Sequence, residues 1–129
     1  MKLFIRKLLR PGVSGEQRAA CARVREAVDS WVRRQGYRKP LTTVEQIAAD
    51  IGVHPEDLTV YVRMISGLPL LSWRKQLRIA DAKVLLADYP ELPVSMVARM
   101  VGIDDKSNFR KQFTEETGVS PREWRRRLK

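Results

Sequence analysis

The sequence contains few of the residue types from which enzymes and metalloproteins build their sites. It has one cysteine, Cys21, and one histidine, His54, among 129 residues, which excludes an internal disulfide and a multi-cysteine zinc site. Cys21 stands among alanines, as expected of a small buried thiol, and His54 precedes a proline at a predicted turn. No serine nucleophile motif, glycine-rich phosphate loop or carboxylate pair stands out. We therefore expect no enzyme, no catalytic residue, no metal and no cofactor.

Long hydrophobic runs are also missing. No apolar run approaches the ~20 residues that a membrane-spanning helix needs, and the basic, apolar residues 1–12 are too short for a signal peptide with a cleavage site. We therefore predict a cytoplasmic chain. Residues 1–12 fit three roles: the flank of a membrane segment if the chain is a fragment, a short helix packed on the domain, or a non-specific DNA-binding arm.

Positive charge is what the sequence has in excess. Lys and Arg number 25 against 15 Asp and Glu, which gives a net charge of +10. The surplus is uneven, at +8 for residues 1–40, −1 for residues 41–90 and +3 for residues 91–129. Such a surplus favours a polyanion as partner, nucleic acid first and an anionic membrane second. Charge alone fits a merely soluble basic protein equally well.

Apolar residues recur at helical spacing along most of the chain, and no segment alternates like a strand for long. A first helix is predicted from about 14 to 35, where Ser14 and Gln17 form a capping box. After a linker at 37–42 and two shorter helices, a long helix is predicted from about 69 to 87. It is apolar on more than one side, so we expect it to contact protein on two sides and to bridge two halves of the chain.

Two shorter helices are predicted between the linker and the long helix. The first starts at a capping box formed by Thr43 and Gln46 and ends at Gly52. Pro55 opens the second in its first turn, where a missing N–H costs nothing. Its predicted buried face consists of Leu58, Tyr61, Val62 and Ile65. The same arrangement of a short helix, a turn and a longer helix returns after the loop at 88–93.

These two helix pairs are copies of one pattern. Val44, Ile47, Ala48, Ile51 and Gly52 align with Val94, Val97, Ala98, Val101 and Gly102, fifty residues further on. Leu58, Val62, Gly67, Trp73 and Arg74 then align with Phe109, Phe113, Gly118, Trp124 and Arg125, fifty-one residues further on. An alanine four residues before a glycine is typical of a helix-turn-helix, because the alanine allows close packing and the glycine adopts the left-handed conformation. Two structural hairpins without a DNA role are the alternative.

The second copy also carries a longer signature. It comprises Gly102-Ile103-Asp104-Asp105-Lys106-Ser107-Asn108-Phe109-Arg110-Lys111-Gln112-Phe113, then Gly118-Val119-Ser120-Pro121 and Trp124-Arg125. It closely resembles the signature of the AraC/XylS family of transcription regulators, as do the first copy and Arg78-x-x-Asp81-Ala82-Lys83-x-Leu85-Leu86. The resemblance covers about residues 41–128. It implies an all-α, seven-helix bipartite fold, sequence-specific binding to duplex DNA and, usually, activation through RNA polymerase.

The chain departs from the family pattern in packing and in charge. Ile103 stands where the family usually has Phe after the glycine, and Val62 stands where Phe is common; both remain apolar. Residues 41–67 contain one basic residue, Arg63, and four acidic ones: Glu45, Asp50, Glu56 and Asp57. Carboxylates at the start of a recognition helix suit its dipole but repel phosphates, which argues against base reading by the first copy.

The predicted organisation is bipartite. It consists of a basic tail at 1–13, a first subdomain at 14–68, a bridging helix at 69–88 and a second subdomain at 89–129. A bridge of about nineteen residues spans roughly 28 Å, and major-groove faces on one side of DNA recur every ~34 Å. We therefore predict that recognition helices at about 54–66 and 105–117 enter adjacent major-groove segments.

The candidate DNA contacts fall into two sets. On the second recognition helix, the resemblance implies that Lys106, Ser107, Asn108, Arg110 and Lys111 face the groove, and Arg, Lys and Asn are common base readers. The matching positions on the first are Glu56, Thr59, Val60 and Arg63. The predicted phosphate contacts are Thr43 and Ser95, through backbone N–H groups at helix starts, and the side chains of Arg74, Lys75, Arg122 and Arg125. The alternative for the charged residues of the second recognition helix is a solvated face that contacts no DNA.

The predicted partners are double-stranded DNA and RNA polymerase. About forty residues precede the predicted DNA-binding part, too few for a sensor, so we expect no small-molecule effector site in this chain. It is then either a stand-alone regulator or the C-terminal piece of a longer one, and a monomer or weak dimer. The alternative function is a protein-interaction module of the same fold with weak DNA affinity. A steep loss of affinity with rising salt distinguishes a DNA binder from such a module.

Overall fold

A computed structural model describes residues 15–128 of the chain, so the predictions for residues 1–13 and for Ser14 lie outside the described part. Within that part the structure has seven α-helices and no strand. They are α1 (Gly15–Arg33), α2 (Val44–Ile51), α3 (Pro55–Ser66), α4 (Leu70–Asp88), α5 (Val94–Met100), α6 (Lys106–Thr117) and α7 (Pro121–Arg127), and a 3₁₀ turn, Gly36–Arg38, follows α1. The predicted all-α, seven-helix fold is confirmed. No described helix is long and apolar enough to cross a membrane.

Side-chain caps define the starts of both predicted recognition helices. Nδ1 of His54 accepts a hydrogen bond from the amide of Glu56 at 3.3 Å, at the start of α3. The carboxylate of Asp105 accepts from the amides of Ser107 and Asn108 at 2.8 and 3.2 Å, at the start of α6. Each cap satisfies helix N–H groups that have no partner within the helix. The helices accordingly begin within one residue of the predicted positions.

The described residues form two compact units. Unit 1 contains the described residues up to Gly36 together with Leu41–Trp73, and unit 2 contains Tyr37–Pro40 and the described residues from Arg74 onward. The division falls inside α4, whereas the sequence places the first boundary after residue 68. Four residues of the predicted linker at 37–42 thus pack within unit 2 and are not a free connection.

The core of unit 1 includes α1 as well as the first helix-turn-helix. Side chains from all of its helices are fully buried, among them Trp31, Ile47 and Leu58. The indole of Trp31 stacks on Trp73 with ring centroids 6.2 Å apart, and its N–H donates to the carboxylate of Asp50 at 2.8 Å. Asp50, one of the four acidic residues at 41–67, therefore has a structural role in holding α1 on α2.

Two predictions for α3 are wrong, and they have one cause. Ile65, assigned to the buried face, is 50% exposed, whereas Val60 is only 4% exposed. The other three predicted core residues are buried, as expected. Because α3 packs against both α1 and α2, its buried surface is wider than one stripe and is rotated away from Ile65. Helical spacing alone does not reveal the second neighbour.

The core of unit 2 is formed around the second helix-turn-helix. Ile79 and Leu86 of α4 pack in one cluster with Val97 of α5 and with Phe109 and Phe113 of α6. The ring of Trp124, from α7, meets Phe113 edge-on at 6.0 Å, a favourable aromatic geometry. Since α7 supplies this contact, it helps to fix the position of α6 within the unit.

A polar network fastens residues 37–40 to α4 inside unit 2. Asp81 accepts two hydrogen bonds from Arg38 at 2.6 and 2.9 Å and one from the hydroxyl of Tyr37 at 3.0 Å. Buried Arg78 donates to the carbonyl oxygens of Tyr37 and Lys39 at 2.7 and 2.8 Å. Burial and the bond to Asp81 raise the pKa of Tyr37 to about 12, and burial lowers the pKa of Arg78 to about 10. Both groups therefore keep their protons at neutral pH.

Candidate nucleic-acid interface

Both copies of the sequence repeat form the same turn between their helices. Gly52 and Gly102 have φ values of +93° and +95°, in the left-handed region. In each turn the carbonyl of the alanine four residues earlier, Ala48 or Ala98, accepts the amide of the residue after the glycine, at 3.0 and 2.9 Å. Both helix pairs therefore have the predicted helix-turn-helix geometry, α2 with α3 and α5 with α6.

The orientation of α6 is determined by its two phenylalanines. Phe109 and Phe113 are 1% and 0% exposed, with ring centroids 5.8 Å apart. Residues elsewhere around the helix consequently face outward. All five predicted base-contacting residues of this helix are exposed: Lys106, Ser107, Asn108, Arg110 and Lys111. The structure thus places them together on the surface of one helix, with donor groups of Lys, Arg, Asn and Ser side by side.

The corresponding helix of unit 1, α3, presents a different surface. Glu56 and Arg63 are exposed and Thr59 is partly exposed. A guanidinium nitrogen of Arg63 lies 3.4 Å from the carbonyl oxygen of Gly67, at the C-terminal end of the helix. Val60 is buried, so its methyl groups are not accessible to a thymine methyl, and its prediction as a base contact is corrected.

Three of the predicted phosphate contacts are either bonded within the protein or partly buried. The amide of Thr43 donates to the side-chain oxygen of Gln46 at 3.3 Å, in a reciprocal capping box, so this amide is already bonded within the protein. Ser95 is partly buried in the first turn of α5. Arg74 is partly buried too, and burial lowers its pKa.

The remaining three phosphate candidates differ from one another. Lys75 is 3.6 Å from the carboxylate of Glu115. Arg125 points inward, where its guanidinium donates to carbonyl oxygens at 2.6, 3.2 and 3.3 Å. In the same order, those carbonyls belong to Leu92, Leu86 and Tyr89. The geometry favours a structural role for Arg125, closing the α4–α5 loop, over the predicted phosphate contact. Arg122 is exposed, as a phosphate contact requires.

A cleft with basic residues in its wall lies beside α6 in unit 2. It has a volume of about 700 Å³ and is lined by residues of the α5, α6 and α7 segments. These are Pro93, Val94, Ser95, Ala98, Lys106, Phe109, Arg110, Ser120, Pro121, Arg122 and Arg125. The sequence did not indicate this cleft, because its cations come from two helices that only tertiary packing brings together. Among the described residues, no group of three or more His, Cys, Asp and Glu side chains is suited to hold a metal ion.

Comparison with known proteins agrees with this geometry. A family model described as a helix-turn-helix domain matches residues 47–127. Residues of this chain are 37% identical over 82 positions to the arabinose operon regulatory protein of Escherichia coli, a match covering 64% of this chain and 28% of that protein. The chain belongs to the AraC/XylS family. This is a family of DNA-binding transcription regulators, not of enzymes.

A second curated relative gives a shorter match. The transcriptional activator RhaR of Cronobacter sakazakii is 40% identical over 63 residues, covering 49% of this chain and 22% of that protein. The chain thus spans less than a third of the length of these curated relatives.

Solved structures share the fold. The C-terminal domain of the response regulator AraT from Geobacillus stearothermophilus has a TM-score of 0.68 at 28% identity, covering 81% of this chain and 84% of that one. The DNA-binding domain of AdpA, solved in complex with a target DNA, has a TM-score of 0.68 at 23% identity, covering 81% of this chain and 91% of that one.

Proposed function

We propose that this chain binds double-stranded DNA with sequence preference, mainly through the exposed face of α6, and that it activates transcription. The observation that carries the proposal is the surface of α6, where five polar or basic side chains lie exposed while Phe109 and Phe113 anchor the helix in the core. A helix held in this way from one side can enter a major groove with the other. The net charge of +10 supports a polyanionic partner.

The side chains of α6 have the chemistry needed to read bases. Asn108 is suited to adenine, whose N7 and N6 groups match an amide, and Lys111 is suited to the acceptors of guanine. On α3 we keep Glu56, which can accept from cytosine N4, and Thr59, whose methyl group can meet that of thymine. We propose that α3 and α6 occupy adjacent major-groove segments, with α6 giving the larger share of the affinity.

Selection from a random duplex pool tests this proposal. The purified chain is incubated with the pool at near-physiological salt, and the retained duplexes are sequenced. Two enriched blocks about one helical turn apart are the expected result. One block would limit base reading to one unit and contradict the adjacent-groove arrangement. No enriched motif would reject sequence-specific binding altogether.

The activator role needs its own test. RhaR of Cronobacter sakazakii is named as a transcriptional activator, and we propose the same role here, through contact with RNA polymerase. A template carrying the selected site upstream of a weak promoter is transcribed with purified polymerase, with and without the chain. We expect more transcript with the chain, only when the site is present.

Sedimentation of the chain alone tests our proposal that it is a monomer or weak dimer.

A protein-interaction module is the second candidate function, and one observation favours it. The first turn of α3 carries two carboxylates, Glu56 and Asp57, which repel phosphates and suit a basic protein surface. The salt dependence of duplex binding separates the candidates. A DNA binder that contacts several phosphates loses affinity steeply, with log K falling linearly in log salt. A flat dependence, with micromolar or weaker affinity, would favour the interaction module.

A further inference from the structure

The five exposed polar and basic residues of α6 that are candidates for DNA contact fall into two groups with different surroundings. Lys106 and Arg110 line the cleft of unit 2, whereas Ser107, Asn108 and Lys111 are exposed outside it. Residues four positions apart lie on one side of a helix, so Lys106 and Arg110 form one row. Ser107 and Lys111 form the next row, on the side away from the cleft. A single helix thus presents a row beside a concavity and a row that projects freely.

From this division we infer that Lys106 and Arg110, together with Arg122, form a clamp for one phosphodiester group of the DNA backbone. Ser107, Asn108 and Lys111 are then left to read bases. The inference rests on the proposed DNA binding and refines it, because it removes two residues from the predicted base-reading set. Its ligand is defined by chemistry: a tetrahedral oxyanion with at least one negative charge.

The composition of the cleft supports an anionic occupant. Lys106 and Arg110 approach it from α6, and Arg122 from α7. None of the described residues that line it is acidic. Arg125 also lines it and adds positive charge, although three of its N–H groups bind carbonyl oxygens of the protein. Several cations around one concavity favour a phosphate over a base edge, which carries no charge.

Apolar side chains give the cleft its shape and limit what Arg110 can reach. Phe109, Ala98 and Pro121 contribute to the lining, and all three are buried in the protein. They form a rigid wall behind the cations, because Phe109 is part of the unit 2 core. In the proposed clamp, Arg110 extends along this concavity and meets the DNA strand that borders the groove, not the base pairs in its floor.

The two kinds of contact have different signatures in binding data. A lost phosphate contact weakens binding to every duplex by about the same factor and reduces the slope of log K against log salt by about 1. A lost base contact weakens binding to the preferred site more than to random DNA. The ratio of the two affinities, the specificity ratio, therefore separates the groups.

The test compares alanine variants on the selected site and on a shuffled duplex over a series of KCl concentrations. We expect Arg110→Ala and Arg122→Ala to weaken both affinities about five- to tenfold, with the specificity ratio unchanged and a shallower salt slope. Asn108→Ala and Lys111→Ala should lower the ratio about tenfold. Arg99→Ala is the matched control, because Arg99 is an exposed cation of α5 outside the cleft. Arg99→Ala should change the salt slope less than Arg110→Ala does, and the specificity ratio less than Asn108→Ala does.

A neutral-linkage scan identifies the phosphate itself. Single methylphosphonate linkages, which carry no charge, are placed along the selected duplex. One of them should lower the affinity of the unmodified chain for the duplex but leave the affinity of Arg110→Ala unchanged. If Arg110→Ala lowers the specificity ratio as much as Asn108→Ala does, the clamp is rejected while sequence-specific binding stands. If the unmodified chain shows no preference for any duplex, it is the proposed function that fails.

A free anion is the other source of the same chemistry. Inorganic phosphate replaces chloride at constant ionic strength while duplex binding is followed. We expect little competition, because a phosphodiester held by the neighbouring contacts of the duplex binds with a high effective concentration. Phosphate binding that depends on Arg122 but leaves duplex affinity unchanged would assign the cleft to free phosphate and overturn the DNA clamp. Circular dichroism verifies that each variant, altered only at an exposed residue, is folded.

Discussion

The two recognition helices share one scaffold but have surfaces of opposite character. The first turn of α3 carries Glu56 and Asp57, whereas α6 begins with Lys106. Their turns are nearly the same, with glycine φ values of +93° and +95°. The comparison shows that the repeat preserves the positions that build the fold, whereas the positions that we propose to meet DNA have diverged. A matching fold in both units is therefore no evidence that both read DNA.

The units also differ in what supports each turn. In unit 1, Gly52 has open space beside it, since a Cβ built there meets no atom within 4 Å. In unit 2, a Cβ on Gly102 would overlap the carbonyl oxygen of Arg38 and lie 3.1 Å from the guanidinium carbon of Arg78. The segment Tyr37–Pro40 is thus packed directly on the second turn. In unit 1 the turn glycine is needed only for its left-handed conformation. In unit 2 the equivalent glycine is also needed because the segment Tyr37–Pro40 packs closely on it.

The largest expected effect comes from these two glycines. Gly52→Ala should cost about 1–2 kcal/mol, because an L-residue is strained in the left-handed region. Gly102→Ala has the same strain and an overlap with backbone, so it should cost about 2–5 kcal/mol. Urea unfolding followed by circular dichroism measures both. Equal losses for the two variants would mean that residues 37–40 do not constrain the second turn.

A smaller effect is expected from the buried tyrosines, Tyr61 in unit 1 and Tyr37 in unit 2. Burial raises the pKa of both, and the pKa of Tyr37, which donates to Asp81, reaches about 12. Below pH 10 the hydroxyl is protonated in both the folded and the unfolded state. As the pH rises from 10 to 12 the unfolded state ionises first, so the raised pKa makes stability fall with pH.

Phenylalanine variants measure this contribution. Tyr37→Phe should cost about 1 kcal/mol at neutral pH, through the lost hydrogen bond, and should flatten the decline in the free energy of unfolding between about pH 10 and 12. Tyr61→Phe should flatten it less, because Asp29 raises the pKa of Tyr61 only through its charge, whereas Asp81 also accepts a hydrogen bond from Tyr37. A steeper decline in Tyr37→Phe than in the unmodified chain would contradict the assignment.

The smallest effect is expected from the surface charge of α3. Glu56→Gln removes a carboxylate that repels phosphates, so binding to a shuffled duplex should tighten about two- to fivefold at low salt and less at high salt. Glu91→Gln is the control, because Glu91 is an exposed carboxylate of the α4–α5 loop. Unchanged binding to the shuffled duplex in Glu56→Gln would show that α3 does not approach the DNA backbone. Loss of preference at one base pair of the selected site would identify Glu56 as a base reader.

Local patterns were enough to predict the helices and turns. Capping residues and glycines act over a few residues of backbone, so Thr43 and Gly52 mark helix ends wherever the rest of the chain lies. The family signature of the second copy is also local, and the five residues of α6 that the resemblance places outward are all exposed. Membership of the AraC/XylS family was readable for the same reason, because its signature lies largely within one helix-turn-helix and the helix that follows.

Contacts between distant segments were beyond the reach of sequence patterns. Val60 is buried because α3 has two helical neighbours. Arg125 turns inward to carbonyl oxygens more than thirty residues away in the chain. The basic cleft exists only because α7 packs beside α6. The sequence alone determined which segments form helices, where they turn and which family they belong to, since these depend on neighbouring residues. Only the tertiary structure decided which charged side chains hold the protein together and which remain available to a partner, because that depends on what lies across the fold.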